Sequence, residues 1–480
     1  MKEDEPRQPL DFFFRPRSVA VVGATPNQAK GGYAIIANLL EGFPGKVWPV
    51  NPGRKEVLGV PCFSSVRELP EAPDLAIVFV PAQRVPGVVR DCAERGVRAV
   101  LVESGGFAEV GENGAALQAE MVNIARGAGM RLWGPNCTGL VNSDPPLFTP
   151  FMRLPGMSMR VAPGNLAIVA QSGMMAAGFM IQYLLAGYFK VSKACAIGNK
   201  ADVDETDVLD YLADDEPTRA VVLYLESVTR GREFLQAVRR AARRMPVAVL
   251  KAGRSEQSAR AALSHTGSLA GNDEVVEGAL RQAGVLRVSD FGELMALGRA
   301  FSLHPEPFRL STLGGNRVAV ITVTGGGGVV LSDLLQETGL RLAELAPSTL
   351  ERLRQEVFPE WMGPSNPVDI WPAVEQRGLA ALERSVEIVL SDPGVDGLLL
   401  LPFASRMVRD YPFAAMGELL GRQDKAVVSW VFGDRRFFEQ FDRSMEEIGV
   451  PVFPELRLCA LAMHGYLHYA RLRRRVAERG

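Results

Sequence analysis

No CxxC pair occurs anywhere in this chain. Its five cysteines, at positions 62, 92, 137, 195 and 459, are scattered, so neither a disulfide framework nor a zinc site is expected. An excess of charge of one sign is also missing. Lys and Arg number 53 against 55 Asp and Glu, a net charge of −2, which gives no support to a nucleic-acid or anionic-membrane surface. The opening Met1-Lys-Glu-Asp-Glu-Pro6 carries no apolar signal core, and a cytoplasmic protein is expected. Internal repeats and low-complexity tracts are not evident. One charge-free span, Leu166 to Phe189, is long enough to imitate a membrane helix. Gln171-Ser172-Gly173 interrupts it, and the apolar run before that break has strand length, so it reads as strand, tight turn and buried helix. Histidine is scarce: four in 480 residues.

The rest of the composition is that of an ordinary soluble globular protein, 47% hydrophobic and 22% charged. A chain of this length is too long for one core and suggests about three domains. Hydrophobic strands alternate with helices from the start. Arg17–Thr25 reads as a strand ending in a glycine turn, and Lys30-Gly31-Gly32 opens a helix. Further strands are read at Val47–Pro52, Leu75–Pro81 and Ala99–Val102, with Arg90–Arg95 on the helix between the last two. This alternation gives a parallel, doubly wound α/β sheet, with ligands at the carboxyl ends of its strands. The first turn lacks a full GxGxxG, and the second strand ends in Asn51-Pro52 where a NAD site would want an acid. A NAD-dependent dehydrogenase is therefore disfavoured.

Ser143 to Pro163, with five prolines, reads as a linker, and His304 to Gly315 as a second. After the first linker comes strand Asn165–Ala170 and the Ser172-Gly173 turn, where a helix start can leave N–H groups free for an anion. Strand Ala220–Leu225 ends in Glu226, a carboxylate placed to accept an imidazole N–H or simply to be solvated. The arginines at 239, 240, 243 and 244 read as a solvated helix face. After the second linker, Arg317–Thr324 runs into Gly325-Gly326-Gly327-Gly328 and a helix, a strand–glycine–helix arrangement suited to phosphate. Later strands are read at Gly397–Leu401 and Ala426–Val431, and a closing helix at Glu455–Arg475.

The most informative stretch is Pro246-Val-Ala-Val-Leu-Lys251-Ala-Gly253-Arg254, followed by Ser264-His265-Thr266-Gly267-Ser268-Leu269-Ala270-Gly271. A buried strand is followed by a histidine among hydroxyls and glycines, small residues that allow a close backbone approach to an anionic group. The pair of motifs resembles the phosphohistidine segment of the ADP-forming (NDP-forming) acyl-CoA synthetases, the acetate–CoA ligase family within the succinyl-CoA synthetase superfamily. Val22–Thr25, Lys30–Gly32, Val50–Gly53, Val80–Ala82, Glu103–Glu109 and Gly134–Gly139 resemble that family's CoA-binding domain. Gly198–Glu205, Gly325–Gly328 and Ser365–Asp369 match further blocks. Val323 stands where the family commonly has asparagine, which puts one side-chain contact in doubt.

The resemblance implies an N-terminal Rossmann-like CoA-binding domain over 10–142. Two flavodoxin-like, succinyl-CoA synthetase-like parallel α/β domains follow over 160–303 and 316–470. CoA would meet Gly23, Ala24, Thr25, Lys30, Asn51, Pro52, Val80, Pro81, Ser104 and Asn136, with Gly134–Gly139 near its thiol. Cys137 is expected to pack rather than react. His265 would carry the phosphoryl group and Glu226 would orient it. The helix starts at Ser172-Gly173 and Gly325–Gly328 would offset phosphoryl charge in place of protein cations. His304, His464 and His468 are expected to be structural or exposed. The implied ligands are CoA, phosphate and a small carboxylic acid, acetate by default. ATP/ADP and Mg2+ are expected mainly on an ATP-grasp beta subunit in a hetero-oligomer, with no metal site in this chain. The alternative is a non-catalytic CoA or acyl-CoA-binding regulatory module.

Overall fold

The computed structural model describes residues 8–153, 162–173, 178, 187–255, 257–258, 273–303 and 315–478. The chain divides into two compact units, Met1–Val288 and Ser289–Gly480.

The first unit carries two large sheets. In the first sheet the strands lie in the order Lys46–Val50, Ser18–Val22, Leu75–Val78, Ala99–Val102, Arg131–Trp133, all parallel. Three of them, Ser18–Val22, Leu75–Val78 and Ala99–Val102, are buried along their whole length. Helices on both faces require such unbroken apolar runs. The strand order reverses between Ser18–Val22 and Leu75–Val78, and the crevice at that switch point is where such sheets bind ligands. The crossover helix Val85–Arg95 has a proline in its first turn and Gly96, at φ +83°, in the left-handed position after its last.

The second sheet runs Leu286–Arg287, Val247–Lys251, Ala220–Leu225, Pro163–Ala170, Val191–Ala196, Leu140–Ser143, Pro146–Phe148. Its first five strands are parallel and its last two pairings antiparallel. The order reverses between Pro163–Ala170 and Ala220–Leu225, so the second switch point lies where Gln171 and Glu226 emerge. The prolines after Ser143 do not simply mark a linker. Pro146–Phe148 is the sheet's edge strand, where a missing N–H is tolerated, and Asn142 Nδ2 closes the hairpin on Pro145 O at 2.7 Å. The span from Leu166 resolves as strand and turn up to Gly173. Of the expected helix that follows, only Gly173, Gly178 and the closing Gly187–Phe189 lie among the described residues.

Side chains tie the two sheets of this unit together. Trp133 Nε1 donates to Ala196 O at 2.7 Å, Arg131 Nε donates to Asp202 at 2.8 Å, and Phe13 and Phe14 pack on Trp133. The arginine-rich helix Gly231–Arg244 is an ion-paired surface: Arg240 and Arg244 both pair with Asp214.

In the second unit the strands lie in the order Arg341–Leu342, Arg317–Thr322, Gly397–Leu401, Ala426–Trp430, Val452–Phe453, with Val368–Asp369 also pairing Arg317–Thr322. Helix Gly325–Glu337 starts directly after the strand–glycine junction. Helix Phe291–Leu303, read from sequence as the end of the second domain, groups with this unit. It is apolar nearly all round, and Phe301 meets Tyr466 of the closing helix Leu456–Ala477 at a ring-centroid distance of 6.0 Å. His464 and His468 sit half-buried on that same helix, 5.8 Å apart, and burial holds the His464 imidazole below its ordinary pKa.

Candidate active site

Gly23 ends the first strand at φ +97°, and a Cβ there would fall 2.3 Å from Phe79 O. A Cβ on Gly32, in the first turn of helix Gly31–Gly42, would fall 2.1 Å from Gly23 O. Two backbones therefore meet with no room for a side chain, and a helix N-terminus faces the strand ends. The result is a cleft of about 860 Å³ at the first sheet's switch point. Seven of the ten residues expected to meet CoA line it: Gly23, Thr25, Lys30, Asn51, Val80, Pro81 and Ser104. The other three lie beside it. Ala24 is buried and offers its carbonyl to Asn51 Nδ2 at 2.8 Å. Pro52 is exposed next to the lining residues Asn51 and Gly53. Asn136 is exposed in a left-handed conformation, φ +57°, with its Oδ1 3.1 Å from a Cβ built on the lining residue Gly105. Sequence reasoning missed Arg54 and Arg84, two cations on the lining. Their signal was available, since each follows closely on a residue singled out, Asn51 and Pro81.

Alanine at Gly32 should damage this cleft. Forcing a methyl against backbone costs about 1–3 kcal/mol, so CoA affinity measured by calorimetry should fall roughly tenfold or more. Wild-type affinity in Gly32→Ala would separate the cleft from CoA.

The loop Gly134–Gly139 connects this cleft's sheet to the second switch point. Pro135 O accepts from Asn199 N at 2.9 Å, and Gly134 O from Ala201 N at 3.0 Å. Thr138 Oγ1 donates to Gly173 O at 3.0 Å. Gly198 must be glycine, because a Cβ would meet Pro135 O at 2.2 Å. Cys137 is 2% exposed, with its Sγ 3.5 Å from Val102 O. Burial, reinforced by the Glu103 charge, drives its thiol pKa up, so it is a packing residue without thiolate character. Glu103 is itself wholly buried, and burial raises its carboxyl well above the usual range.

At the second switch point the strand end Glu226–Ser227 is held on every polar atom of its backbone. Gln171 Oε1 accepts from Glu226 N at 2.8 Å and from Ser227 N at 3.0 Å. Glu226 O accepts from Lys251 Nζ, and Ser227 O from Lys200 Nζ, both at 2.8 Å. Tyr224 Oη donates to Glu226 Oε1 at 3.2 Å. Burial and the Glu226 charge raise the Tyr224 hydroxyl pKa, keeping it a donor. Glu226 is 6% exposed, not a solvated strand-end acid. Ser172 and Gly173 follow Gln171 directly. His265 lies outside the described residues. Sequence reasoning missed the part played by Gln171, Lys200 and Lys251. A lysine closing an otherwise apolar strand, as Lys251 does, was the available signal.

Gly325–Gly328 belong to the second unit. Asp369 Oδ2 lies 3.1 Å from a Cβ built on Gly325, a carboxylate beside the positive end of helix Gly325–Glu337. Val323, in the position of doubt, packs against the apolar core and donates its N–H to Leu401 O at 3.2 Å. Among the described residues no group of three His, Cys, Asp or Glu could hold a metal. No helix among them is long and apolar enough to cross a membrane.

Family models match in three places: a CoA binding domain over residues 17–143, a succinyl-CoA ligase like flavodoxin domain over 163–301, and a ligase-CoA domain over 318–454. The chain is 40% identical to the acetate–CoA ligase [ADP-forming] II subunit alpha of Pyrococcus furiosus, covering 82% of either protein. It is 37% identical to the acetate–CoA ligase [ADP-forming] II of Archaeoglobus fulgidus, where 92% of this chain spans 64% of that longer protein. Among solved structures it resembles the dinucleotide forming acetyl-coenzyme A synthetase 1 of Ca. Korarchaeum cryptofilum, in complex with phosphate and ADP. The TM-score is 0.86 at 32% identity, with 98% of each chain covered.

Proposed function

This chain belongs to the ADP-forming acetate–CoA ligase family, and on that footing we propose that it is the alpha portion of an acyl-CoA synthetase interconverting acyl-CoA, phosphate and ADP with carboxylate, CoA and ATP. A phosphate oxygen attacks the thioester carbonyl, and the C–S bond breaks to release the CoA thiolate and leave an acyl phosphate. An imidazole nitrogen of His265 attacks the phosphorus, the P–O bond to the acyl group breaks, and the carboxylate departs. The phosphoryl group then passes from nitrogen to ADP. Glu226 accepts the other imidazole N–H and balances the positive charge that develops on the ring. The helix starts at Ser172-Gly173 and Gly325–Gly328 are assigned to the phosphoryl oxygens. Lys30, with Arg54 and Arg84, is assigned to CoA phosphates.

The observation that carries this reading is the Gly134–Gly139 loop. It begins where the CoA cleft's sheet ends and hydrogen-bonds to Gly173 and to the 198–201 turn at the second switch point. On this reading the thiol is delivered along that loop toward the Gln171–Gly173 strand end, which also holds the Glu226 backbone. Three domains over 10–142, 160–303 and 316–470 would divide the work. Mg2+ and nucleotide are assigned mainly to a separate ATP-grasp subunit. The whole enzyme is inferred to be a cytoplasmic hetero-oligomer acting on a small acid such as acetate.

The test uses the purified chain with acetyl-CoA and labelled phosphate. The label should appear on His265, acid-labile and base-stable as a phosphoramidate requires. ATP with acetate and CoA should give no turnover until the partner is added. Robust ATP-dependent CoA acylation by the chain alone would overturn the partner assignment, and CoA binding without phosphorylation under any combination would overturn the enzyme assignment.

A further inference from the structure

Two buried lysines meet the carbonyls of one strand end. Lys251 is 5% exposed, and its Nζ donates to Glu226 O at 2.8 Å and to Ala252 O at 2.6 Å. The Lys200 side chain is 4% exposed. Its Nζ donates to Ser227 O at 2.8 Å and pairs with the wholly buried Glu205 carboxylate at 2.9 Å. Gln171 takes the two N–H groups of the same Glu226 and Ser227 through one oxygen, and its Nε2 donates to Ser227 Oγ at 3.1 Å. Both amides and both carbonyls of a two-residue segment are thus fixed by three side chains from three other chain segments.

This arrangement is costly if its purpose is only to fold the sheet. Burying an ammonium carries a desolvation penalty of several kcal/mol, and the site buries two. Burial, together with the nearby Arg287 charge, lowers the Lys251 pKa. Lys200 also holds a left-handed backbone, φ +56°, a conformation that costs a non-glycine residue about 1 kcal/mol or more. Backbone N–H groups would satisfy the same carbonyls without charge. Strain and buried charge concentrated on one strand end, at the crevice where doubly wound sheets bind ligands, mark that strand end as functional.

We propose that Lys200 and Lys251 are positioning residues. With Gln171 they clamp the Glu226–Ser227 strand end so that the Glu226 carboxylate keeps one orientation. Glu205 in turn holds Lys200. The inference rests on the reading of Glu226 given above.

The full chain is compared with Lys200→Met, Lys251→Met, Lys251→Arg, Glu226→Gln and the Lys251→Met/Glu226→Gln double variant, with the partner subunit supplied where turnover needs it. Hydrogen exchange at the amides of Glu226 and Ser227 should be at least about tenfold faster in either methionine variant, while the amides of Val222 and Leu223 keep their protection. Turnover should fall roughly a hundredfold, the lower part of the range for support of an acid–base group, with CoA affinity unchanged. Lys251→Arg should recover part of the rate. The double variant should be no slower than Glu226→Gln alone, because both changes remove one function. Unchanged exchange at both amides overturns the clamp whatever the rates do. Faster exchange with wild-type turnover, or losses that simply multiply in the double variant, overturns the positioning role. Absence of ligase turnover in the wild type strikes the proposed function instead, and the exchange result then still decides the clamp. If a methionine variant does not fold, glutamine, which keeps a donor without the charge, is read by the same criteria.

Discussion

Replacing His265 by alanine should leave no measurable ATP-linked turnover, a loss of about 10⁴–10⁶ in kcat, the range seen when a covalent nucleophile is removed. Alanine supplies no nitrogen to attack the acyl phosphate, and a neighbouring serine or threonine hydroxyl at its ordinary pKa is a far weaker nucleophile. CoA affinity should stay within about twofold, or roughly 0.4 kcal/mol, because the cleft assigned to CoA is built around Gly23, Asn51 and Ser104 in the first sheet. The step before the histidine does not need it. With acetyl-CoA and phosphate the variant should still release free CoA and accumulate acyl phosphate, detectable as a thiol signal and as hydroxamate. Labelled phosphate should no longer attach to the protein. Full turnover in His265→Ala would remove the phosphohistidine from the reaction.

That prediction comes from sequence alone, and the contrast with Glu226 shows what kind of information each level holds. The motif Ser264–Gly271 was legible because it is long, chemically unusual and contiguous. The strands were legible because a parallel sheet covered on both faces demands unbroken apolar runs: Ala99–Val102 and Ala220–Leu225 were read to the residue. Edges and junctions were not. Pro145 and Pro146 carry the composition of a linker, yet Pro146–Phe148 pairs with Leu140–Ser143, because an edge strand needs no N–H on its outer side. The clamp on Glu226 was beyond reach for a different reason. Gln171, Lys200, Glu226 and Lys251 come from the ends of separate strands and a turn, and each alone reads as an ordinary polar residue at a strand end. Parallel strand order brings them to one crevice, and that order is a property of crossovers that single-segment periodicity does not carry.

Glutamine at Glu226 is the sharper of the two large tests, because it changes charge while keeping shape. The carboxylate is buried. Its own backbone N–H is held by Gln171 and one of its oxygens by the Tyr224 hydroxyl, so the substituted amide should occupy the same place. Its oxygen can still accept one hydrogen bond. The negative charge that stabilises a charged imidazole intermediate is lost, and the amide's own N–H2 competes to donate where the carboxylate could only accept. We expect turnover to fall by roughly 10²–10⁴, with CoA affinity and melting temperature close to wild type. The loss should lie in the rate of phosphoryl transfer to and from the histidine, read as slower appearance of base-stable label in single-turnover experiments, while CoA release from acetyl-CoA and phosphate proceeds at its normal rate. A buried carboxylate serving only the fold would show the opposite pattern, a lowered melting temperature with an unchanged rate per folded molecule. An unchanged single-turnover rate in Glu226→Gln would leave Glu226 a structural acid and would require another base for His265.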